Sequence, residues 1–190
     1  IDPTSSYAQA AAMAMGRAMD DVIIAAASGT AFTGETGATS TAAQTAIAAG
    51  GAGLTIAKLR TAKQTFDLAS VDPSIPRHIV VGPEQITNLL STTEVTSSDF
   101  NTVKALVQGE IDSFLGFKFT VSNRLAKSGN DRTCIAFAQD GITLAIGKDV
   151  SARIDERADK SYATQVYYCQ SIGATRMEEA KVLGIVCQEA

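Results

Sequence analysis

The pattern of apolar residues in the first part of the chain predicts two helices. Asp2 is placed to cap the first helix and Pro3 to occupy its first turn, and apolar side chains then recur at helical spacing as far as Gly29. Because no proline interrupts this stretch, we expect one continuous rod, roughly 40 Å long at about 1.5 Å per residue. Apolar residues also recur every three or four positions over residues 54–69, which predicts a second, amphipathic helix.

Between these helices, residues 30–53 have a low-complexity composition that predicts a loop. Thr, Ala and Gly fill most of the positions, and Glu35 is the only charged residue. Few large apolar side chains are present to offset the entropy that a chain loses when it becomes ordered. We therefore expect residues 30–53 to form a long, flexible loop and to be the most mobile segment.

The central part of the chain alternates between strand and helix patterns. Residues 78–82 form a short apolar run typical of a buried strand, and Pro83 provides the first residue of a helix. Ser98 or Asp99 is placed to cap a further helix, which Gly109 would end. This alternation predicts a layer of helices packed on a sheet.

From Gly109 onward the apolar residues repeat every two positions, which is the period of a strand with one solvated face. Leu115, Phe117 and Phe119, for example, alternate with a glycine, a lysine and a threonine. Further strands are predicted over residues 133–138, 142–147, 150–157, 162–173 and 180–187. Helices followed by strands place the chain in the α+β class.

The composition is typical of a globular protein of one or two domains. The 190 residues are 45% hydrophobic and 19% charged, unlike disordered or coiled-coil chains, and the net charge of -4 indicates no basic surface for nucleic acid. The longest apolar run, residues 22–27, is too short to span a bilayer. The chain begins at Ile1 without an initiator Met or a signal-peptide pattern, so we expect a truncated protein without a secretory signal.

Candidate catalytic and metal-binding residues are few. Cys134, Cys169 and Cys187 lack CxxC spacing, and we interpret them as reduced core residues of a cytosolic product. A Ser-His-Asp triad would need His78, the single histidine, which we expect instead to be a structural residue at a strand end. We therefore expect no metal, no cofactor and no enzymatic activity.

One cluster of charged residues has the composition expected of a subunit interface. It mixes both signs of charge across two predicted strands and their turn, as an exposed sheet edge or an intersubunit seam would. Its members are Lys148, Asp149, Arg153, Asp155, Glu156, Arg157, Asp159 and Lys160. A solvated hairpin without a partner explains the same pattern, so both interpretations stay open.

Several motifs, found in order along nearly the whole chain, resemble those of a known protein family. They are AMGRAMDDVI in the first predicted helix, FNTVKALVQGEI at residues 100–111, LGFKF at 115–119, DGI at 140–142, RIDER at 153–157, YATQV at 162–166 and GATRMEE at 173–179. Each motif is weak by itself. Together they resemble the major capsid proteins of tailed bacteriophages.

The resemblance implies the Hong Kong 97 type of capsid fold, with a long spine helix, an axial domain of helices on a sheet, and long peripheral β-strands. On this chain, residues 1–53 would be the spine helix and flexible loop of the peripheral domain. Residues 54–147 would be the axial domain, and residues 148–190 the strands of the peripheral domain. Members of the family carry an N-terminal arm and an extended loop before the spine helix, and both would be absent here.

The function that the resemblance implies is structural. Copies of the chain would self-assemble as pentamers and hexamers into an icosahedral shell that encloses phage DNA without binding it specifically, with no membrane partner. Portal, scaffolding and decoration proteins are further implied partners, and the protein would be located in the virion after assembly in the host cytoplasm. Two alternatives stay open: a bacterial nanocompartment shell protein, and an enzyme that uses the strand and helix of residues 78–91.

Overall fold

The computed structural model describes residues 3–41, 46–91 and 113–189 of the chain. The predicted cap Asp2 and the helix predicted from Ser98 or Asp99 to Gly109 lie outside these residues. The helices are α1 (Pro3–Ser28), α2 (Ile56–Leu68) and α3 (Pro83–Ser91). The strands are β1 (Ala31–Thr33), β2 (Thr39–Thr41), β3 (Arg77–Val81), β4 (Ser113–Phe114), β5 (Phe117–Val121), β6 (Lys127–Ser128), β7 (Asp131–Ala138), β8 (Ile142–Arg157), β9 (Ala163–Arg176) and β10 (Val182–Gln188).

The helix α1 is continuous, as the sequence predicts. Gly16 lies in its middle with open space around it, and a glycine there costs only about 1 kcal/mol of helix stability. The helix ends at Gly29, whose amide donates to the carbonyl of Ala25 at 2.8 Å. A Cβ atom at position 29 would lie 2.7 Å from that carbonyl oxygen, so a side chain cannot be added here without moving the backbone.

A six-stranded sheet contains most of the strands in the described part of the chain, and together with α2 and α3 we call it the sheet body. Its strand order is β10-β7-β3-β5-β4, with β6 paired to β7. The strands β3 and β5 are parallel, whereas β7 is antiparallel to both β3 and β10. The side chains of Phe66 on α2 and Phe117 on β5 are fully buried, with ring centroids 6.0 Å apart, so α2 covers the sheet through its apolar stripe.

The strands β8 and β9 form a separate two-stranded antiparallel sheet, which we call the ribbon. The two strands predicted over residues 142–147 and 150–157 are one strand, β8, whose register shifts on both sides of Lys148. A 3₁₀ turn at Ala158–Lys160 joins β8 to β9. The ribbon therefore extends away from the sheet body as a long hairpin with an irregularity near its middle.

The helix α1 lies along β9 and covers one face of the ribbon. The hydroxyl of Tyr168 and the side-chain amide of Gln170 each donate a hydrogen bond of 3.4 Å to backbone carbonyls of α1, at Ala8 and Met15. Tyr168 and Gln170 are two positions apart in β9, so both point to the same face. The residues of β9 that alternate with Tyr168 and Gln170 therefore point away from α1.

Two stretches differ from the sequence-based expectation. Residues 30–53 contain regular structure, because β1 and β2 pair as an antiparallel hairpin and Ile47 exchanges backbone hydrogen bonds with β10 at 2.8 and 2.9 Å. The strand β10 lies beside β7 in the sheet body, although we expected residues 148–190 to be peripheral strands. Nearly every residue of β10 is apolar, which suits a strand buried against a core. The division into three segments otherwise stays a prediction, as does the mobility of residues 30–53.

Candidate functional site

The charged cluster predicted from the sequence lies at the far half of the ribbon. Its members on β8 are Lys148, Asp149, Arg153, Asp155, Glu156 and Arg157, while Asp159 and Lys160 lie in the 3₁₀ turn. All of these residues are exposed in the subunit. The cluster is therefore a surface feature and contributes nothing to the apolar core.

The strand geometry divides this cluster between the two faces of the ribbon. Tyr168 on β9 bonds to α1, and its cross-strand partner is Ala152, so even-numbered residues of this part of β8 share the face that α1 covers. Arg153 and Asp155 point to the opposite face, which we call the uncovered face. Glu156 alternates with them and lies on the α1 side. The structure thus brings together only part of the predicted cluster.

The uncovered face carries an open groove of about 400 Å³. Polar side chains around the groove are Lys148, Ser151, Arg153, Asp155, Gln165 and Tyr167, with Cys169 beside them. Arginine and tyrosine are enriched at protein interfaces, because each combines apolar contact area with hydrogen-bond donors. Arg153 and Tyr167 therefore give the groove both apolar contact area and hydrogen-bond donors.

Two members of the cluster already pair with each other within the subunit. The guanidinium of Arg157 donates two hydrogen bonds to the carboxylate of Asp159, at 2.8 and 2.5 Å. These bonds hold the pKa of Asp159 below its ordinary value and raise the pKa of Arg157. Both side chains are about half exposed, so the pair contributes little to folding.

The ribbon also exposes large apolar side chains that the sequence analysis did not identify as surface residues. They are Ile146, Val150, Ile154, Tyr162 and Tyr167, with exposed fractions between 43% and 72%. Their alternation with charged residues predicts strands with a buried face, but among residues 3–41, 46–91 and 113–189 the ribbon has no covering layer other than α1. Apolar and charged groups are therefore interleaved on an accessible surface.

Long-range ion pairs connect the remaining elements, and sequence reasoning missed them. Arg124, in the segment after β5, makes two hydrogen bonds to the carboxylate of Asp21 on α1. These bonds hold the pKa of Asp21 below its ordinary value. The two residues are 103 positions apart, so no local pattern in the sequence could indicate the pair.

A buried carboxylate near the end of the chain forms a second such cluster. Glu189 is 3% exposed, pairs with Arg132 and with Lys127 at 2.5 Å, and accepts a hydrogen bond of 3.1 Å from Gln85. These donors lower the pKa of Glu189 to about 2. The cluster ties the residue that follows β10 to β6, β7 and α3, so it stabilises the sheet body.

The other candidate residues have structural surroundings. His78 lies in β3 and stacks on Phe137 with ring centroids 5.6 Å apart, and desolvation together with the charge of Lys118 lowers the pKa of His78. Cys134 and Cys187 are buried, but Cys169 is only partly buried on the ribbon. The expectation that all three cysteines belong to the core is therefore wrong for Cys169, because no further layer covers the uncovered face of the ribbon in the part of the chain that the structure describes.

Neither a metal centre nor a membrane span is found in the part of the chain that the structure describes. Within residues 3–41, 46–91 and 113–189, no group of three or more His, Cys, Asp or Glu side chains is placed to hold a metal ion. None of the helices in these ranges is long and apolar enough to cross a bilayer.

Comparisons with known proteins identify the fold. A family model described as phage capsid protein matches residues 1–189, whereas no curated protein matches the chain. A structure from Mycobacterium phage Che8 is 23% identical, with a TM-score of 0.65 over 94% of this chain and 61% of that one. The acid-stable capsid of Helicobacter pylori bacteriophage KHP30 is 12% identical, with a TM-score of 0.72 over 99% of this chain and 70% of that one. The capsid of cyanophage Pam1 is 14% identical, with a TM-score of 0.70 over 100% of this chain and 70% of that one.

These similarities confirm the predicted α+β class, and they agree with a capsid fold of the Hong Kong 97 type. The present chain spans about 61% of the length of the Che8 protein. The activities of a whole protein are therefore not carried over from these structures.

Proposed function

The chain belongs to the phage capsid protein family, and from this premise we propose that it forms part of a major capsid subunit that self-assembles into an icosahedral shell around phage DNA. The proposed partners are copies of the same chain, arranged as pentamers and hexamers. A shell is held together by contacts between neighbouring subunits and needs no reaction chemistry. The function is therefore structural, in the virion.

The main structural support for this proposal is the uncovered face of the ribbon. It presents Arg153 and Asp155 together with the exposed Tyr167, so it can form both charged and apolar contacts with a neighbour. A single contact of this kind contributes little, but a symmetric assembly repeats it at every equivalent position. The cluster predicted from the sequence is thus proposed as an intersubunit seam instead of a solvated hairpin.

The charge of the chain supports a shell that encloses DNA without binding it specifically. A protein that neutralises many phosphates needs clustered lysine and arginine, because affinity comes from the release of counterions. This chain has a net charge of -4, so it has no excess of positive charge for binding phosphates. Portal, scaffolding and decoration proteins as partners, and assembly in the host cytoplasm, belong to the same proposal.

The two alternative functions are not favoured. The family that matches the chain is described as phage capsid protein, which favours a viral shell over a bacterial nanocompartment. In the enzyme alternative, the strand and helix of residues 78–91 would hold the active site. Residues 77–91 do form a strand and a helix, β3 and α3, but His78 there stacks on the ring of Phe137, and the matched family favours a structural protein.

Electron microscopy of the full-length subunit tests this proposal. We expect closed particles from the wild type and a strong loss of particles from Tyr167→Asp, which places a new charge on the uncovered face of the ribbon. Leu68→Asp is the matched control, because Leu68 is 78% exposed at the end of α2 in the sheet body. Wild-type subunits that stay monomeric under assembly conditions would contradict the proposal, as would equal particle yields from Tyr167→Asp and wild type.

A further inference from the structure

Three side chains converge on one sulfur atom at the irregular part of the ribbon. The Sγ atom of Cys169 lies 2.9 Å from the hydroxyl oxygen of Ser151 and 3.2 Å from the ammonium nitrogen of Lys148. In a regular strand, residues three positions apart point to opposite faces, so Lys148 and Ser151 could not both reach the same atom. The arrangement therefore depends on a distortion of β8.

The register of the ribbon supplies this distortion. Lys148 pairs with Ser171 and Ser151 pairs with Cys169, so three steps along β8 are matched by two steps along β9. This is the geometry of a β-bulge, which adds one residue to a strand and changes the direction of the neighbouring side chains. The bulge turns Lys148 toward the same face as Ser151 and Cys169.

The residue Cys169 is partly exposed, and its thiolate form is stabilised. Cys169 is partly buried beside the open groove on the uncovered face, and α1 lies on the other side of the ribbon. Hydrogen bonds from Ser151 and Lys148 lower the pKa of Cys169. The other ionisable groups on this face are Arg153 and Asp155 of β8, and Tyr167 of β9, which also donates to the sulfur.

The two remaining cysteines provide a contrast within the same chain. Cys134 and Cys187 have no exposed side-chain surface in the core of the sheet body. The hydrogen bond between them and burial raise the pKa of Cys134, whereas the same bond lowers the pKa of Cys187, so burial is what separates both thiols from Cys169. A buried thiol without access to solvent is inert, whereas a partly exposed thiolate beside a cation is the reactive form of cysteine.

We propose that Cys169, Lys148 and Ser151 form a reactive-thiol site that is modified by small disulfides. The thiolate of Cys169 attacks one sulfur of the disulfide, a new S–S bond forms to Cys169, and the old S–S bond breaks to release one small thiolate. The ammonium group of Lys148 stabilises the attacking thiolate without losing its proton. This site goes beyond the proposed shell function, because its reactivity belongs to the unassembled subunit.

Site-resolved mass spectrometry of the unassembled full-length subunit tests this inference, with oxidised glutathione as the probe. We expect the mixed disulfide on Cys169 and none on Cys134 or Cys187 while the protein is folded. Lys148→Met should slow the modification at pH 7 by about threefold to tenfold, since one unit of thiol pKa changes the thiolate fraction about tenfold. It should also move the pH midpoint of the reaction upward.

Lys160→Met is the matched control, because it removes the same charge from the 3₁₀ turn at the tip of the ribbon. It should leave the rate at Cys169 unchanged, and Ser151→Ala should slow the reaction less than Lys148→Met does. The inference is overturned if Cys169 reacts no faster than the two buried cysteines, or if Lys148→Met and Lys160→Met give the same rate. Neither result depends on shell formation, so failure here and failure of the proposed function are separate observations.

Discussion

The sheet body and the ribbon are both β structures, but they are stabilised in different ways. In the sheet body, Phe66, Phe117 and Ile79 are fully buried, and the buried carboxylate of Glu189 has cationic partners. In the ribbon, α1 covers one face, and the side chain of Tyr167 on the other face remains 51% exposed. The sheet body thus satisfies its own apolar and charged groups, whereas the ribbon leaves apolar and charged groups available to a neighbour. Substitutions in the two regions should therefore affect different properties, folding in one and assembly in the other.

The largest expected contrast is between two aromatic truncations. Phe66→Ala in the sheet body should lower the free energy of unfolding by about 3–5 kcal/mol, because it removes a fully buried ring and leaves a cavity. Tyr167→Ala in the ribbon should change it by no more than about 0.5 kcal/mol, the usual range for a surface position. Urea denaturation of the unassembled subunit measures both values. Similar losses of unfolding free energy in the two variants would show that the sheet body and the ribbon do not differ in this way.

The next largest effect concerns the buried carboxylate of the sheet body. The pKa of Glu189 is about 2 in the folded chain against 4.5 for an ordinary glutamate, which corresponds to about 3 kcal/mol of stability. Because the folded pKa is the lower one, this stability is fully present above pH 4.5 and is lost as the pH falls toward 2.

Glu189→Gln removes this titration while it keeps the size of the side chain. The variant should be less stable than wild type at pH 7, and the difference should shrink as the pH falls from 4.5 toward 2. Thermal denaturation at a series of pH values measures this. A difference that is constant over this range would show that the carboxylate charge is not what stabilises the cluster.

A smaller effect is expected where α1 meets the ribbon. Met19 and Ile23 are partly buried on α1, so Met19→Asp or Ile23→Asp should cost about 2 kcal/mol by placing an unpaired charge against apolar surface. Met13, which is 65% exposed on the same helix, provides the control variant Met13→Asp. If the unfolding midpoints of Met13→Asp and Met19→Asp coincide, the packing of α1 on the ribbon contributes nothing to stability.

The smallest effect on folding is expected at the end of the ribbon. Arg157→Glu replaces an exposed ion pair with repulsion toward Asp159, yet it should leave the free energy of unfolding within about 0.5 kcal/mol of wild type. Shell assembly should nevertheless weaken, since the changed contact is repeated at every equivalent interface. Calorimetry and particle yield measure the two properties, and a loss of folding stability as large as that of Met19→Asp would refute this expectation.

The elements that local rules govern could be predicted from the sequence. The cap and first-turn residues of α1, and the absence of an interior proline, predict one helix, and the alternation of apolar residues predicts most strands. The alternation of charged residues over 148–160 likewise predicts an exposed cluster. Each of these features depends only on residues that are close together in the chain.

Features that depend on distant partners could not be predicted. The strand β10 pairs with β7, more than 40 residues away, and Arg124 pairs with Asp21, 103 positions before it. The bulge that brings Lys148 to Cys169 is a matter of register between two strands, and an alternating pattern predicts a strand without specifying its register. The uncovered face follows from the absence of a further layer on the ribbon in the described residues, which no local pattern indicates.

Assembly of the Arg153→Glu variant tests the central claim, that the uncovered face of the ribbon contacts a neighbouring subunit. Arg153 lies in the groove and makes no ion pair among the residues that the structure describes. Its reversal should therefore leave folding unchanged. Lys63→Glu, an equal change of charge at an exposed position of α2, is the control.

The measurement is the yield of closed particles from full-length subunits at low and high ionic strength. At low salt, we expect Arg153→Glu to reduce the particle yield and Lys63→Glu to leave it near the wild-type value. At high salt, the difference in yield between Arg153→Glu and wild type should become smaller, because salt screens the charges of the seam. Equal yields from Arg153→Glu and wild type at low salt would contradict the claim and would show that the charged cluster is a solvated hairpin without a partner.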